Sequence, residues 1–297
     1  MKSVFKKLLV GGLIALLVGG ILFTVAFAAS GFSFEKLSGL SWESQTFTES
    51  AAASSVVIDV DNSDVTVKFD KNADKITVSY YVCNNRSGKE LKNFNVTDSN
   101  GTLSLKEHTR WQYDLFLWTY KDTDVTVIIP EGRAVSLDIS TDNGDVNIYG
   151  SANIPNLHID TDNGDAEING QISAKGVTVE TDNGDVEITG SFTANSLTVE
   201  TDNGTFEAEG SLTVNTLSIE TDNGDIEAED ALITANKILI ETDNGDVEAK
   251  LFGAASDYKT IVKTDNGRKN IENNITGERE LYIETDNGDV YIIFANE

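Results

Sequence analysis

LTVETDNGTFEA, which runs from Leu197 to Ala208, is the stretch of this sequence that decides the fold. Its central Thr-Asp-Asn-Gly occurs eight times, and successive copies are 20, 20, 20, 20, 21, 22 and 21 residues apart. Self-similarity at a period of about 20 to 50 residues is typical of repeat architectures. The eight copies begin at Thr141, Thr161, Thr181, Thr201, Thr221, Thr242, Thr264 and Thr285.

Apolar and polar residues alternate on both sides of each copy, which indicates β-strands with one buried face. In the quoted copy the predicted inward residues are Leu197, Val199, Phe206 and Ala208. The predicted outward residues are Thr198, Glu200 and Glu207. Asp-Asn-Gly between the strands predicts a tight turn, because Asn and Gly tolerate a positive φ and Asp can close an Asx-turn.

Two all-β folds are compatible with this pattern. Asn-Gly between alternating strands is a strong hairpin signal, which would give an antiparallel meander. A parallel β-solenoid (β-helix) instead stacks each coil of ~20 residues on the last, so that every corner must superpose on the one below. A fixed turn sequence at a fixed period is needed only by the second fold, so the sequence predicts the solenoid.

The N-terminus predicts a membrane segment. Lysines at positions 2, 6 and 7 precede an uncharged stretch from Leu8 to Ser30, which is long enough to cross a bilayer as a helix. The lysines predict a single-pass protein with a cytoplasmic N-terminus and an extracytoplasmic C-terminal domain. A cleaved signal peptide, and hence a secreted protein, is the alternative, because Ala26-Phe27-Ala28 fits a cleavage site.

The resulting domain prediction has four parts. Residues 1–30 are the transmembrane anchor or signal peptide, and 31–53 are a linker. Residues 54–134 are an irregular β region that caps the solenoid, with degenerate repeats at Val56–Val67 and Phe94–Leu105 and an aromatic segment at Trp111–Tyr120. Residues 135–297 are the repeat solenoid.

The charge limits the class of partner. The formal net charge is −27, and between Val135 and Lys250 there are 25 Asp or Glu against three Lys. Such a surface repels nucleic acid and attracts cations or basic partners. The single cysteine, Cys83, lies in strand-like sequence and is predicted to be a buried, inert thiol.

Repeated [Val/Ile]-x-x-Thr-Asx-Asn-Gly-Asp-[Val/Ile] units behind an apolar helix resemble the bacterial "putative adhesin" family, which includes the LiaG-like proteins of cell envelopes. The resemblance covers about Val56 to Phe294 and implies a β-helical, membrane-anchored protein. It implies no catalytic residue. One departure from the pattern is Arg268, which replaces the usual Asp after Asn-Gly.

Stacked coils would align the aspartates of the eight turns in one column, with Glu180, Glu200 and Glu220 in another. Carboxylates ~5 Å apart repel by roughly 0.8 kcal/mol in water, which motivates a hypothesis of weak Ca²⁺ binding along the turn edge. The alternative is that each Asp caps its own turn. The predicted aspartate column is Asp142, Asp162, Asp182, Asp202, Asp222, Asp243, Asp265 and Asp286, with Asp145, Asp165, Asp185 and Asp225 just after the turn.

The sequence predicts no catalytic, cofactor-binding or metal-binding residue. An active site needs singular residues, and those available besides the aromatic segment are His108, His158, Arg110 and Arg133, which form no recognisable catalytic set. The predicted function is a non-enzymatic adhesin or binding scaffold of the cell envelope, with an envelope polymer, a glycan or a protein as its partner. An accessory protein that modulates a membrane stress sensor and a glycan-active β-helix enzyme are the alternatives.

Overall fold

The computed structural model describes residues 2–32, 39–109 and 124–295, and side chains from residue 9 onward. The chain divides into two compact units. The first comprises residues 1–43, 82–93 and 109–121, and the second comprises residues 44–81, 94–108 and 122–297. The first unit contains helix α1 (Lys2–Ala29), in which Leu9–Ala29 is long and apolar enough to cross a membrane. The predicted aromatic segment Trp111–Tyr120 lies outside the described residues.

The rest of the described chain is almost entirely β-structure. The strands are β1 (Ser41–Thr48), β2 (Ser55–Val60), β3 (Val65–Asp70), β4 (Thr77–Asn84), β5 (Glu90–Ser99), β6 (Thr102–Thr109), β7 (Val125–Pro130), β8 (Ser136–Thr141), β9 (Val146–Thr161), β10 (Ala166–Thr181), β11 (Val186–Thr201), β12 (Phe206–Thr221), β13 (Ile226–Thr234), β14 (Lys237–Thr242), β15 (Val247–Phe252), β16 (Tyr258–Thr264), β17 (Arg279–Thr285) and β18 (Val290–Ala295).

Successive repeats stack in parallel, with equivalent residues one above the other. Val179 pairs with Val199 and Ala166 with Val186, so a shift of 20 residues along the chain is one step up the stack. The same register continues from β9 to β10 and from β11 to β12. The strands on both sides of each repeated turn therefore pair in parallel with the equivalent strands of the next coil, as a solenoid-like fold requires. They do not pair with each other across the turn, as they would in the antiparallel meander.

The predicted alternation is confirmed. Leu197, Val199 and Phe206 are fully buried, whereas Glu200 and Glu207 are exposed. The inward side chains of all coils form one continuous apolar core, whose burial supplies the main stabilisation at about 25 cal/mol per Å².

The glycine of each Thr-Asp-Asn-Gly turn is required for a reason other than the predicted one. None of these glycines, and none of the preceding asparagines, has a positive φ. Instead, a Cβ on Gly204 would lie 1.9 Å from the carbonyl oxygen of Gly184 in the coil below. The turn needs glycine because successive backbones approach too closely for any side chain. A positive φ occurs at a second corner, at Gly150, Gly170, Gly190 and Gly210.

The order of levels in the stack differs from the order of the chain at its C-terminal end. Strand β17 pairs with β14 on one side and with β16 on the other. The last coil of the sequence is thus inserted between the two coils that precede it. The predicted aspartate column is wrong in its order, because Asp286 lies directly above Asp243 and Asp265 is the outermost member.

The N-terminal end shows the same arrangement. Strand β2 lies between β6 and β8, and β3 lies between β7 and β9. The degenerate copy at Val56–Val67 is confirmed as a level of the stack. The copy predicted at Phe94–Leu105 is wrong. It places Leu103 after the turn, whereas Leu103 pairs with Val56, which lies on the strand before the turn. Asn100 and Gly101 instead form a turn with φ of 53° and 77°, the type I′ pattern of a hairpin. Ten levels result, in the order β6, β2, β8, β9, β10, β11, β12, β14, β17 and β16.

A buried ion pair holds the segment before β2. The Glu49 carboxylate accepts hydrogen bonds from the backbone N–H groups of Ala53 and Ile76, both at 2.9 Å, and from the guanidinium of Arg133. Burial opposes its ionisation, but these donors outweigh burial and lower the pKa of Glu49. Glu49 is 3% exposed, so its charge depends on this set of partners.

Candidate functional site: the acidic turn edge

Three hydrogen-bonded ladders run along the repeated turns. In the first, each Thr hydroxyl donates to a backbone carbonyl of the level below. The acceptor is a glycine in seven repeats, as for Thr201 Oγ1 and Gly184 at 3.2 Å, and Ser63 for Thr141. All of these threonines are buried except the half-buried Thr264. The sequence analysis missed their role, although their inward position follows from the strand alternation. The equivalent bonds of the other repeats span 3.0–3.5 Å.

The second ladder is formed by asparagine side chains. Asn203 Nδ2 donates to Asn183 Oδ1 at 3.0 Å, and Asn223 Nδ2 donates to Asn203 Oδ1 at 3.0 Å. The series starts at Asn62 and ends at Asn266 without a break. The asparagine therefore joins neighbouring levels and does more than shape its own turn.

The third ladder uses the aspartate that follows the glycine. Asp165 N–H donates to Asp145 Oδ1 at 3.0 Å, and Asp185 N–H donates to Asp165 Oδ1 at 2.9 Å. Arg268 takes this position at the outermost level, where its guanidinium pairs with Asp289. The departure at Arg268 is thus explained by its place at the end of the stack, where no described level above it supplies an N–H for a carboxylate to accept.

Two columns of carboxylates remain free of these ladders and point outward on either side of the buried threonines. One is the aspartate column, in its observed order. The other, here called the glutamate column, has the register Asp160, Glu180, Glu200, Glu220, Glu241 and Glu284. Towards the C-terminal end the two columns line a groove of about 230 Å³, here called the acidic groove, whose carboxylates are Glu220, Asp222, Glu241, Asp243, Glu284 and Asp286.

Negative charge accumulates along the two columns, and the pKa values of Glu241 and Asp142 reflect this. Burial is the main cause that raises the pKa of Glu241, and the neighbouring charges of Glu220 and Glu284 raise it further. The pKa of Asp142, in the aspartate column, is also raised by burial and then by Asp162. The pKa rises in both cases because the carboxylate is partly buried and also faces others of the same charge.

A lysine ends the glutamate column at each end of the stack. Lys263 lies one level beyond Glu284 and donates to its carboxylate at 2.8 Å. At the opposite end, Lys106 on the lowest level pairs with Asp59 one level above it. Between Asp160 and Glu284 the column contains no cationic residue, so its charge is neutralised only at the margins.

The hypothesis of Ca²⁺ binding stays a prediction. The described part of the chain contains no group of three or more His, Cys, Asp or Glu arranged to hold a metal ion. In addition, Asp145, Asp165 and Asp185 each use one carboxylate oxygen in the third ladder, which leaves fewer oxygens for a cation.

The singular residues named from the sequence do not form one site among the described residues. Arg133 is engaged by Glu49 and the Ala53 carbonyl. His108 is on β6 and His158 on β9, three levels apart, which at ~4.8 Å per level is about 14 Å. Arg110 lies outside the described residues. Cys83 is a buried free thiol, as predicted, and burial raises its pKa to about 11.

The geometry defines an all-β, solenoid-like repeat protein with an N-terminal apolar helix and an acidic turn edge. The chain belongs to the Toastrack DUF4097 family, whose profile matches residues 53–293. The family resemblance stated from the sequence is confirmed. No curated protein matches the chain.

Several solved structures are similar to this chain at low sequence identity. A protein described as a "putative lipid binding protein" from Parabacteroides distasonis is 13% identical with a TM-score of 0.46, covering 86% of this chain and 95% of that one. A "putative adhesin" from Bacteroides fragilis is 16% identical with a TM-score of 0.43, covering 85% and 97%. A "putative adhesin" from Parabacteroides distasonis is 11% identical with a TM-score of 0.47, covering 86% and 95%.

Proposed function

We propose that this protein is a non-catalytic β-solenoid scaffold of the cell envelope that binds an extended, positively charged partner along its glutamate column. The observation that carries the proposal is the glutamate column, which is continuous from Asp160 to Glu284 and contains no cation between its ends. Burial and then repulsion from Glu220 and Glu284 raise the pKa of Glu241, and a partner with regularly spaced positive charges would relieve that repulsion.

The rigidity of the support favours binding over a long surface. The turn edge is held by three ladders of hydrogen bonds, so the carboxylates of successive levels keep a fixed spacing of ~4.8 Å. A preorganised array loses little conformational entropy on binding, and many weak contacts then add up.

Binding of poly-lysine to the full-length protein in neutral-lipid nanodiscs tests the proposal, with neutral dextran and poly-glutamate as reference polymers. The triple variant Glu180→Gln, Glu200→Gln, Glu220→Gln removes three charges from the glutamate column. We expect a loss of about tenfold in affinity, because each surface pair contributes about 0.5 kcal/mol.

The matched control removes the same number of charges at neighbouring levels on the other strand of the turn. Its substitutions are Glu167→Gln, Glu187→Gln and Glu207→Gln. An equal loss in both triple variants would mean that net charge alone attracts the polymer, and the glutamate column would be rejected as the binding surface. Failure of the unmodified protein to bind poly-lysine at low salt would reject the proposal altogether.

The proposal includes a membrane tether formed by α1, with the repeat domain outside the cytoplasm. The length and apolar composition of Leu9–Ala29 support it. Protease added to intact cells should digest or release the repeat domain, and the mature protein should retain its N-terminal residues. A mature chain that starts after Ala28 would show that the segment is a cleaved signal peptide.

A further inference from the structure

Asparagine followed by glycine is the sequence at which a protein most readily loses a side-chain amide. The glycine nitrogen attacks the asparagine Cγ, ammonia leaves, and a cyclic succinimide forms. Water then opens the ring to aspartate or to isoaspartate, in which the backbone continues through the side chain. Each of the eight repeated turns contains this dipeptide, so the stack offers eight chemically identical candidates in different surroundings.

Interior turns hold both reacting groups in place. Asn244 Nδ2 donates to Asn223 Oδ1 at 3.0 Å, and Asn244 Oδ1 accepts from Asn287 Nδ2 at 2.9 Å. Gly245 is buried between the glycines of the levels below and above, so closely that a Cβ would meet the Gly224 carbonyl at 1.9 Å. Ring closure there must break two side-chain hydrogen bonds and displace stacked backbone.

Asn266 is in a different position, because the inverted level order places its turn at the outer end of the stack. Its Nδ2 donates to Asn287 Oδ1 at 2.9 Å, and no described residue donates to its Oδ1. Gly267 is exposed, whereas the glycines of the other seven repeated turns are buried or half-buried. Only one side of this turn is packed against another level, so the ring can close and water can reach it.

We propose that Asn266 is the repeat asparagine that deamidates in the folded protein. The resulting carboxylate cannot donate a hydrogen bond to Asn287 and adds a negative charge beside Asp265. An isoaspartate would also lengthen the backbone immediately before Arg268, whose N–H and guanidinium hold the end level to Asp289. The modification thus loosens the outermost level and leaves the interior ladders intact.

Peptide mapping of the full-length protein, aged at mildly alkaline pH, tests this proposal directly. Trypsin isolates Asn266 in the five-residue peptide Thr264–Arg268, and it isolates Asn244 in Ile238–Lys250, which contains no other Asn-Gly. We expect the Asn266 peptide to convert at least about tenfold faster than the Asn244 peptide, because one fewer side-chain hydrogen bond and one fewer stacked level oppose ring closure. Methylation by an isoaspartyl methyltransferase should label the same peptide.

Two controls make the outcome decisive. In urea both peptides should convert at similar rates, since the local sequence Thr-Asp-Asn-Gly is shared. The variant Asn266→Gln, whose longer side chain closes a ring slowly, should abolish conversion in the end-level peptide without changing the fold. Conversion of Asn244 or Asn287 as fast as Asn266 in the folded protein, or no conversion of Asn266 when the unfolded chain converts, would overturn the proposal.

Discussion

Replacement of Gly204 by alanine tests the reason that the turn glycine is required. The new Cβ would lie 1.9 Å from the Gly184 carbonyl oxygen, and real Cβ contacts are almost never shorter than 3.0 Å, so the two levels must separate locally by at least 1.1 Å. That movement stretches the bond from Thr201 to Gly184 (3.2 Å) and the bond from Asn203 to Asn183 (3.0 Å) beyond hydrogen-bonding distance. Two lost hydrogen bonds at about 1 kcal/mol each, added to about 1–3 kcal/mol of overpacking strain, give about 3–5 kcal/mol.

Urea unfolding of the full-length protein in detergent, followed by far-UV circular dichroism, measures this loss. The matched control is Gly176→Ala, where the nearest atoms to the new Cβ are 3.6 Å and 3.8 Å away and φ is not positive. We expect the control to be neutral or to gain about 0.5 kcal/mol, because alanine restricts the unfolded chain. Equal stability of the two variants would refute the close-approach argument. An unchanged free energy of unfolding in Gly204→Asn would likewise refute it. Asparagine tolerates a positive φ, but its Cβ would meet the Gly184 carbonyl oxygen as the alanine Cβ does.

Three further predictions concern charge and reactivity. Glu49→Gln should lower the free energy of unfolding by about 3 kcal/mol, because it leaves the Arg133 guanidinium beside a neutral group. The control Asp59→Asn breaks an exposed ion pair and should change stability little. Equal losses in the two variants would contradict the importance of the buried pair. Stability should rise as the pH falls from neutral towards the ordinary Glu value of 4.5, because the raised pKa values of Glu187, Glu227 and Glu241 make the folded state bind more protons than the unfolded state. The free energy of unfolding should fall again at lower pH, where Glu49, whose pKa is lowered, becomes protonated. Urea midpoints that decline steadily from neutral pH downward would contradict this prediction. The Cys83 thiol, with a pKa of about 11, should resist iodoacetamide at neutral pH in the folded protein and react in urea.

The strand pattern and the coil period were predictable because both depend on local alternation. Leu197, Val199 and Phe206 face the core wherever the strand is formed, and a constant spacing of 20 residues leaves few ways to pair the strands other than by stacking. The acidic columns follow from the same register. The buried threonine was accessible to the same reasoning, since Thr201 continues the alternation of Val199 on the inward face.

The inverted level order was not predictable from the repeat, because it depends on contacts between segments distant in the chain. Thr264 and Thr285 lie in identical turns, and nothing in their local sequence shows which of them stacks on Thr242. Only Arg268 carries a signal: a basic residue in an acidic position indicates a level with a neighbour on one side. The role of the glycine was misassigned for a related reason, since close approach between coils cannot be seen within one turn.

The insertion of both terminal coils into the stack limits how a chain of this kind can lengthen by duplication. A unit added after β18 would find no free level, because β16 already occupies the end of the stack beyond β17. A unit added before β2 meets the same obstacle at β6. A copy inserted between Thr141 and Thr221 instead acquires a neighbour above and below, and this is where the spacing stays at 20 residues. Repeat number in this architecture can therefore grow from the middle, while the two ends keep their length.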